Sequence, residues 1–133
     1  MTGIKIDGKI IAQTVKDRVK KAADELKTEG INPCLATVLI GNNAASATYV
    51  KNKHKSCEEV GIATKDHKLD ESVTQQELNN IIDELNADVS VHGILVQLPL
   101  PKHLNEFATT SRISPIKDVD GLTPHNAGLL AMK

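Results

Sequence analysis

The apolar positions along the chain follow two rhythms that take turns. Ile11, Val15, Val19, Ala22 and Leu26 recur at steps of three and four, which predicts a helix over 10–26 with Gly30 as its stop signal. Cys34–Ile40, CLATVLI, is a short unbroken apolar run with β-branched members that ends in Gly-Asn-Asn, the pattern of a buried strand. The helical pattern returns over Ala44–Val60, followed by Gly61 at a C′-type position. A second strand is predicted over 62–69, more exposed because Lys65, Asp66 and Lys68 interrupt it. Thr74-Gln-Gln-Glu77 matches a capping box, whose hydroxyl and carboxylate cover free N–H groups at a helix start, and Leu78, Ile81, Ile82 and Leu85 supply that helix's buried face. Residues 91–98 predict a third strand, ended by Pro99 and Pro101 because proline cannot donate to a ladder. A weak helix over 104–108 and a loop over 114–121 follow. Thr123-Pro124 predicts an N-cap with proline at the first helical position, and the helix then runs on to the last residue without a stop signal, as though cut midway.

Strand and helix alternate throughout, so the fold class is α/β: a three-layer domain with a mostly parallel sheet flanked by helices. In open sheets of this type ligands bind outside the carboxyl ends of the strands. Those ends are Gly41-Asn42-Asn43 and Gln97-Leu98-Pro99.

A length of 133 residues allows one core and not two. Sixteen basic against 17 acidic side chains leave no surplus of positive charge, which argues against a duplex nucleic acid partner. One Tyr, one Phe and no Trp argue against a single-strand binder built on stacking platforms. Cys34 and Cys57 have no CxxC spacing and are expected to be reduced core thiols. The N-terminal residues lack a signal-peptide apolar stretch and no run reaches membrane-spanning length, so a cytoplasmic protein without a membrane partner is expected.

Few residues are left to carry chemistry. Ser46, Tyr49 and Lys53 align in one helical stripe, with Ala47, Val50 and Cys57 opposite as the expected core face. From spacing alone a solvated Tyr–Lys pair on a surface helix is the commoner outcome. Gln97 sits in an apolar run, where an unbonded amide costs about 1–3 kcal/mol; it either satisfies local backbone groups or presents a polar group at the sheet edge. Asp118 and Asp120 are open to three roles: turn formers, two metal ligands with no third, or acceptors for a paired N–H edge. The five histidines show no metal-ligand spacing, and His54, next to Lys53, is given no role. No glycine-rich phosphate loop is present, so no dinucleotide site is argued from these residues.

Taken together, ASATYVKNKHKSCEEVGI (45–62), GILVQLPLPKHL (93–104) and SPIKDVDGLTPHNAGLL (114–130) resemble the bifunctional methylenetetrahydrofolate dehydrogenase/methenyltetrahydrofolate cyclohydrolase family, across essentially the whole chain and in order. The resemblance shifts the weight at Tyr49, Lys53 and Gln97 toward function. It implies a small α/β folate domain followed by a Rossmann domain that holds NADP or NAD. The cleft between them oxidises 5,10-methylenetetrahydrofolate and hydrolyses the resulting methenyl form to 10-formyltetrahydrofolate. By the same resemblance Lys53 is the catalytic lysine, Tyr49 stands one turn before it, and Gln97 hydrogen-bonds it. Asp120 holds the pterin ring, and Ser46, Leu98 and Pro99 belong to the folate site. Residues 1–133 are then expected to be the folate-binding, catalytic domain, ending at the start of an inter-domain helix. The Rossmann half would be absent, with no metal, and with a homodimer common in the family. Such a chain is not expected to act as a dehydrogenase by itself; the alternative is a folate-binding fragment without turnover.

Overall fold

A computed structural model describes residue 3 and residues 6–133. Helix α1 spans Gly8–Thr28 and is capped by Asp7, whose carboxylate accepts from the Lys9 amide. It overruns the predicted 10–26 at both ends because its caps lie outside the apolar stripe. Strand β1, Cys34–Ile40, leads through Gly41 into α2, Ala44–Val60. Asn43 caps the start of α2, and Gly61 closes it at φ 78°, a left-handed conformation that suits glycine. Strand β2, Ala63–Leu69, is largely exposed, as its interrupting charges require. Helix α3, Gln75–Ala87, opens on the Thr74–Glu77 capping box and buries Leu78, Ile82 and Leu85. Strand β3 is Gly93–Val96, α4 is Glu106–Arg112 and α5 is Pro124–Ala131.

Later elements also differ from expectation. The third strand keeps four residues of the predicted eight: Gln97 N still donates to Val38 O, but the chain turns off before Pro99. The fourth helix begins at Glu106 because Asn105 caps it, while Leu104 is spent as a buried anchor ahead of the cap. The last helix closes at Ala131 rather than running to the final residue.

All three strands are parallel, in the order β2-β1-β3. Alternation along β1 divides the layers. Ala36, Val38 and Ile40 face α3 and join Leu78, Ile82, Leu85, Ile94, Val96, Leu100, Leu104 and Ile113 in the main core. Leu35, Thr37 and Leu39 face the other way, toward α2, against which α1 packs. The inward face of α2 corrects the predicted stripe. Ser46 is buried beside Val50, while Ala47, expected in the core, is exposed. Helix α2 covers β1 and β2, and on the same face of the edge strand β3 Leu95 is buried and Val119 lies over Gly93. No helix among the described residues is long and apolar enough to cross a membrane.

Candidate functional site

Beside that face lies a cleft of about 440 Å³, lined by Leu35 and Leu95 from the sheet, Tyr49, Asn52, Lys53, Ser56 and Cys57 from α2, and Val119 and Asp120 from the loop before α5. Tyr49, Asn52, Lys53 and Ser56 share a wall because steps of three and four keep them on one side of a helix. Lys53 is half-buried and its Nζ donates to Gln97 Oε1 at 3.3 Å. Gln97 Nε2 donates to Leu98 O at 2.8 Å, and a carbonyl only accepts, so the amide can turn only its oxygen toward the lysine. Tyr49 is 61% exposed and presents its ring at the rim.

The two aspartates of the KDVDG segment divide their duties. Asp118 Oδ1 accepts from Gly121 N and Leu122 N, and its Oδ2 accepts from Thr123 N and Asn126 Nδ2 at 2.9 and 3.0 Å. Burial pushes the Asp118 carboxyl up, but the hydrogen bonds from Thr123, Asn126 and Leu122 outweigh it and hold it at about 2. Asp118 is therefore a turn former and a clasp on the start of α5. Asp120 faces the cleft, and among the described residues its carboxylate accepts no hydrogen bond. The loop is seated on the sheet: Ile94 N donates to Lys117 O at 2.7 Å, and Ile94 and Asp118 form a parallel bridge. Gly93 makes room for it, since a Cβ there would stand 2.6 Å from Val119 Cγ1.

The fold thus brings Tyr49, Lys53, Gln97 and Asp120 to one place from three elements. It does not bring Ser46, Leu98 or Pro99 to the walls of that cleft. Ser46 is 4% exposed at the first turn of α2, where its amide donates to the Asn43 cap. Pro99 lines a separate hollow of about 370 Å³ with Gly41, Asn42, Asn43, Glu71, Leu100 and Pro101, at the carboxyl ends of the strands. Asn52, Ser56, Leu35, Leu95 and Val119 were missed by sequence reasoning. A step of three forward from Tyr49 and from Lys53 would have found the first two. Cys34 is buried, as a core thiol is expected to be, whereas Cys57 is half-buried at the cleft wall; both are free, and burial pushes both thiols up. Among the described residues no three His, Cys, Asp or Glu side chains are grouped to hold a metal ion.

Residues 6–120 match the family described as tetrahydrofolate dehydrogenase/cyclohydrolase, catalytic domain. The chain belongs to this family. Among relatives of the tetrahydrofolate dehydrogenase/cyclohydrolase family, the bifunctional protein FolD of Nitrosopumilus maritimus is 78% identical over 133 residues, all of this chain and 46% of that protein. The crystal structure of the bifunctional FolD enzyme of Campylobacter jejuni superposes with a TM-score of 0.93 at 48% identity, covering 95% of this chain and 45% of that one. The Trypanosoma brucei dehydrogenase-cyclohydrolase, complexed with NADP cofactor and inhibitor, superposes with a TM-score of 0.90 at 34% identity, covering 98% of this chain and 45% of that one. The chain spans about half the length of the curated relatives it matches.

Proposed function

We propose that this chain binds a tetrahydrofolate in the Lys53 cleft and carries the hydrolytic half of the family's chemistry, opening 5,10-methenyltetrahydrofolate to 10-formyltetrahydrofolate. One observation carries the reading: Lys53 Nζ, held 3.3 Å from Gln97 Oε1, shares its cleft with Tyr49 and Asp120. In the proposed step, water adds to the cationic methenyl carbon and gives a proton to the Lys53 amine. The carbon–N5 bond then breaks, its electron pair stays on nitrogen, and N5 takes a proton while the hydroxyl becomes the formyl carbonyl. One proton is released overall. A cationic substrate disfavours a second charge beside it, so the bound methenyl form itself favours the neutral amine. Gln97 orients that amine without adding an opposing charge. Tyr49 offers a ring face at the rim, and Asp120 offers two acceptor oxygens to the paired N–H donors of a pterin. Ser46, Leu98 and Pro99 then act at the folate site from behind the walls, by shaping α2 and the Gln97 turn.

The oxidation of 5,10-methylenetetrahydrofolate is assigned to the family's full-length proteins, with NADP as hydride acceptor. The residues present here do not fit a dinucleotide. Among the described residues the one strand-to-helix turn with a glycine, Gly41-Asn42-Asn43, supplies a single glycine where a pyrophosphate cradle needs several. No step is therefore routed through a nicotinamide.

The test is methenyltetrahydrofolate hydrolysis by the 133-residue chain beside its Lys53→Met variant, with folate binding measured in parallel. Hydrolysis above the spontaneous rate that vanishes in the variant, with binding retained, is the expected result. Binding without any difference in hydrolysis would make the chain a folate-binding domain only. A cleft open on one side orients its substrate loosely, so a rate several orders of magnitude below that of a closed site is expected.

A further inference from the structure

A polar cluster beneath α2 lies outside the cleft and has no part in the chemistry above. His54 Nε2 stands 2.7 Å from Asp66 Oδ1 on β2 and 3.0 Å from Thr37 Oγ1 on β1. Thr37 Oγ1 donates to the same Asp66 oxygen at 2.9 Å. The parallel register pairs Thr37 with Asp66, so the two side chains stand abreast on the face that α2 covers. Three elements converge on one carboxylate oxygen. An ionised carboxylate only accepts, so at 2.7 Å the proton sits on Nε2. That holds for the neutral ring and for the imidazolium alike, and the cluster closes in both charge states. Thr37 is 1% exposed, so its hydroxyl has no route to water and depends on these partners.

The helix has need of such a fastening. Its buried residues are Ser46, Val50 and Val60, and its sequence contains no Leu, Ile, Phe or Met. With so little apolar surface turned inward, close packing constrains rotation about the helix axis only weakly. Adjacent residues on a helix leave it about 100° apart, so whatever holds His54 also sets the direction in which Lys53 departs.

We propose that His54, gripped by Thr37 and Asp66, is a positioning residue for Lys53, fixing the rotation of α2 so that Nζ reaches Gln97 across the cleft. The proposal rests on Lys53 as the reacting amine, yet its geometric content can be measured without folate. A cluster that only stabilised the fold would lower the melting temperature when broken and leave Lys53 as it was.

The experiment is competitive acetylation of the 133-residue chain with trace acetic anhydride. The rate at each lysine is read by peptide mass spectrometry, with Lys21 and Lys102 as internal references. In His54→Leu, Thr37→Val and Asp66→Ala, Lys53 is expected to react faster relative to the references, by about threefold or more, the equivalent of one weak net hydrogen bond released. His54→Gln places an amide Nε2 where the imidazole had its own and cannot titrate, so it is expected to restore the wild-type rate. Asp66 is half-exposed, so its variant breaks the cluster without opening the core should the other two fold poorly. An unchanged Lys53 rate in a folded, destabilised variant overturns the proposal, as does a folded His54→Gln that fails to restore it. If instead labelling responds but Lys53→Met leaves hydrolysis untouched, the positioning stands and the catalytic reading falls.

Discussion

At the scale of single residues, the two carboxylates of KDVDG make the sharpest contrast. Asp118 accepts four hydrogen bonds from its own loop and the start of α5, whereas Asp120 offers its oxygens to the cleft. Asp118→Asn replaces one acceptor oxygen with a donor facing Thr123 N or Asn126 Nδ2, and is expected to cost about 1–3 kcal/mol in urea unfolding. Asp120→Asn should leave the unfolding midpoint nearly unchanged and weaken folate binding, as titration calorimetry would show. The pH dependence has a definite sign. The Asp118 carboxyl is held at about 2, below its ordinary 3.8, so its contribution to stability is complete above about pH 4 and is lost as pH falls toward 2. Acid titrations of wild type and Asp118→Asn should diverge at neutral pH and converge at the acid end; parallel curves would show that the clasp contributes nothing.

At the scale of elements, Gly93 decides how closely the Asp120 loop can lie on β3. A methyl group there meets Val119 Cγ1 at 2.6 Å and Leu35 Cδ1 at 3.3 Å, so Gly93→Ala must displace the Val119 side chain or the loop that carries it. Overpacking of this kind costs about 1–3 kcal/mol, and the loss of folate affinity should exceed that of Val119→Ala, which relieves the same contact. The elements themselves were largely legible in the sequence, because β1 and α3 each pair a strong hydrophobic rhythm with a cap or a breaker, and α2 is bracketed by Asn43 and Gly61. The Thr74 capping box and the Thr123-Pro124 helix start are local devices, and local devices can be read from neighbouring letters. The third strand was overextended because Gln97 and Leu98 continue the apolar pattern while the backbone has already turned toward Pro99. The inward face of α2 was misjudged for a related reason. A helix seated on the half-polar face of a sheet buries Ser46 and half-buries Lys53 and His54, so hydrophobicity no longer marks its inside. The Thr37–His54–Asp66 cluster was invisible from sequence, since it depends on a strand register that no local spacing encodes. Spacing and local pattern raised Tyr49, Lys53, Gln97 and Asp120 as candidates, and the resemblance to a family is what shifted the weight toward function.

At the scale of the whole molecule, the cleft has a sheet floor, a helix on one side and a loop at the end. If the chain binds folate in this form, ligand should raise its stability by mass action, about 2.7 kcal/mol at a free concentration one hundred times the dissociation constant. A thermal melt with and without a tetrahydrofolate would show this, and no shift at saturating concentration would mean the isolated cleft does not close on its ligand. The strand order adds a consequence in time. The central strand β1 comes first in the sequence, and β2 and then β3 are laid along its two edges, so Lys53 exists for 44 residues of chain before Gln97 arrives to meet it. A chain stalled during synthesis short of β3 would carry the lysine helix with its amine unanswered. The reactivity of Lys53 is therefore expected to report whether the third strand is in place beside β1, ahead of the Asp120 loop that follows it in the sequence.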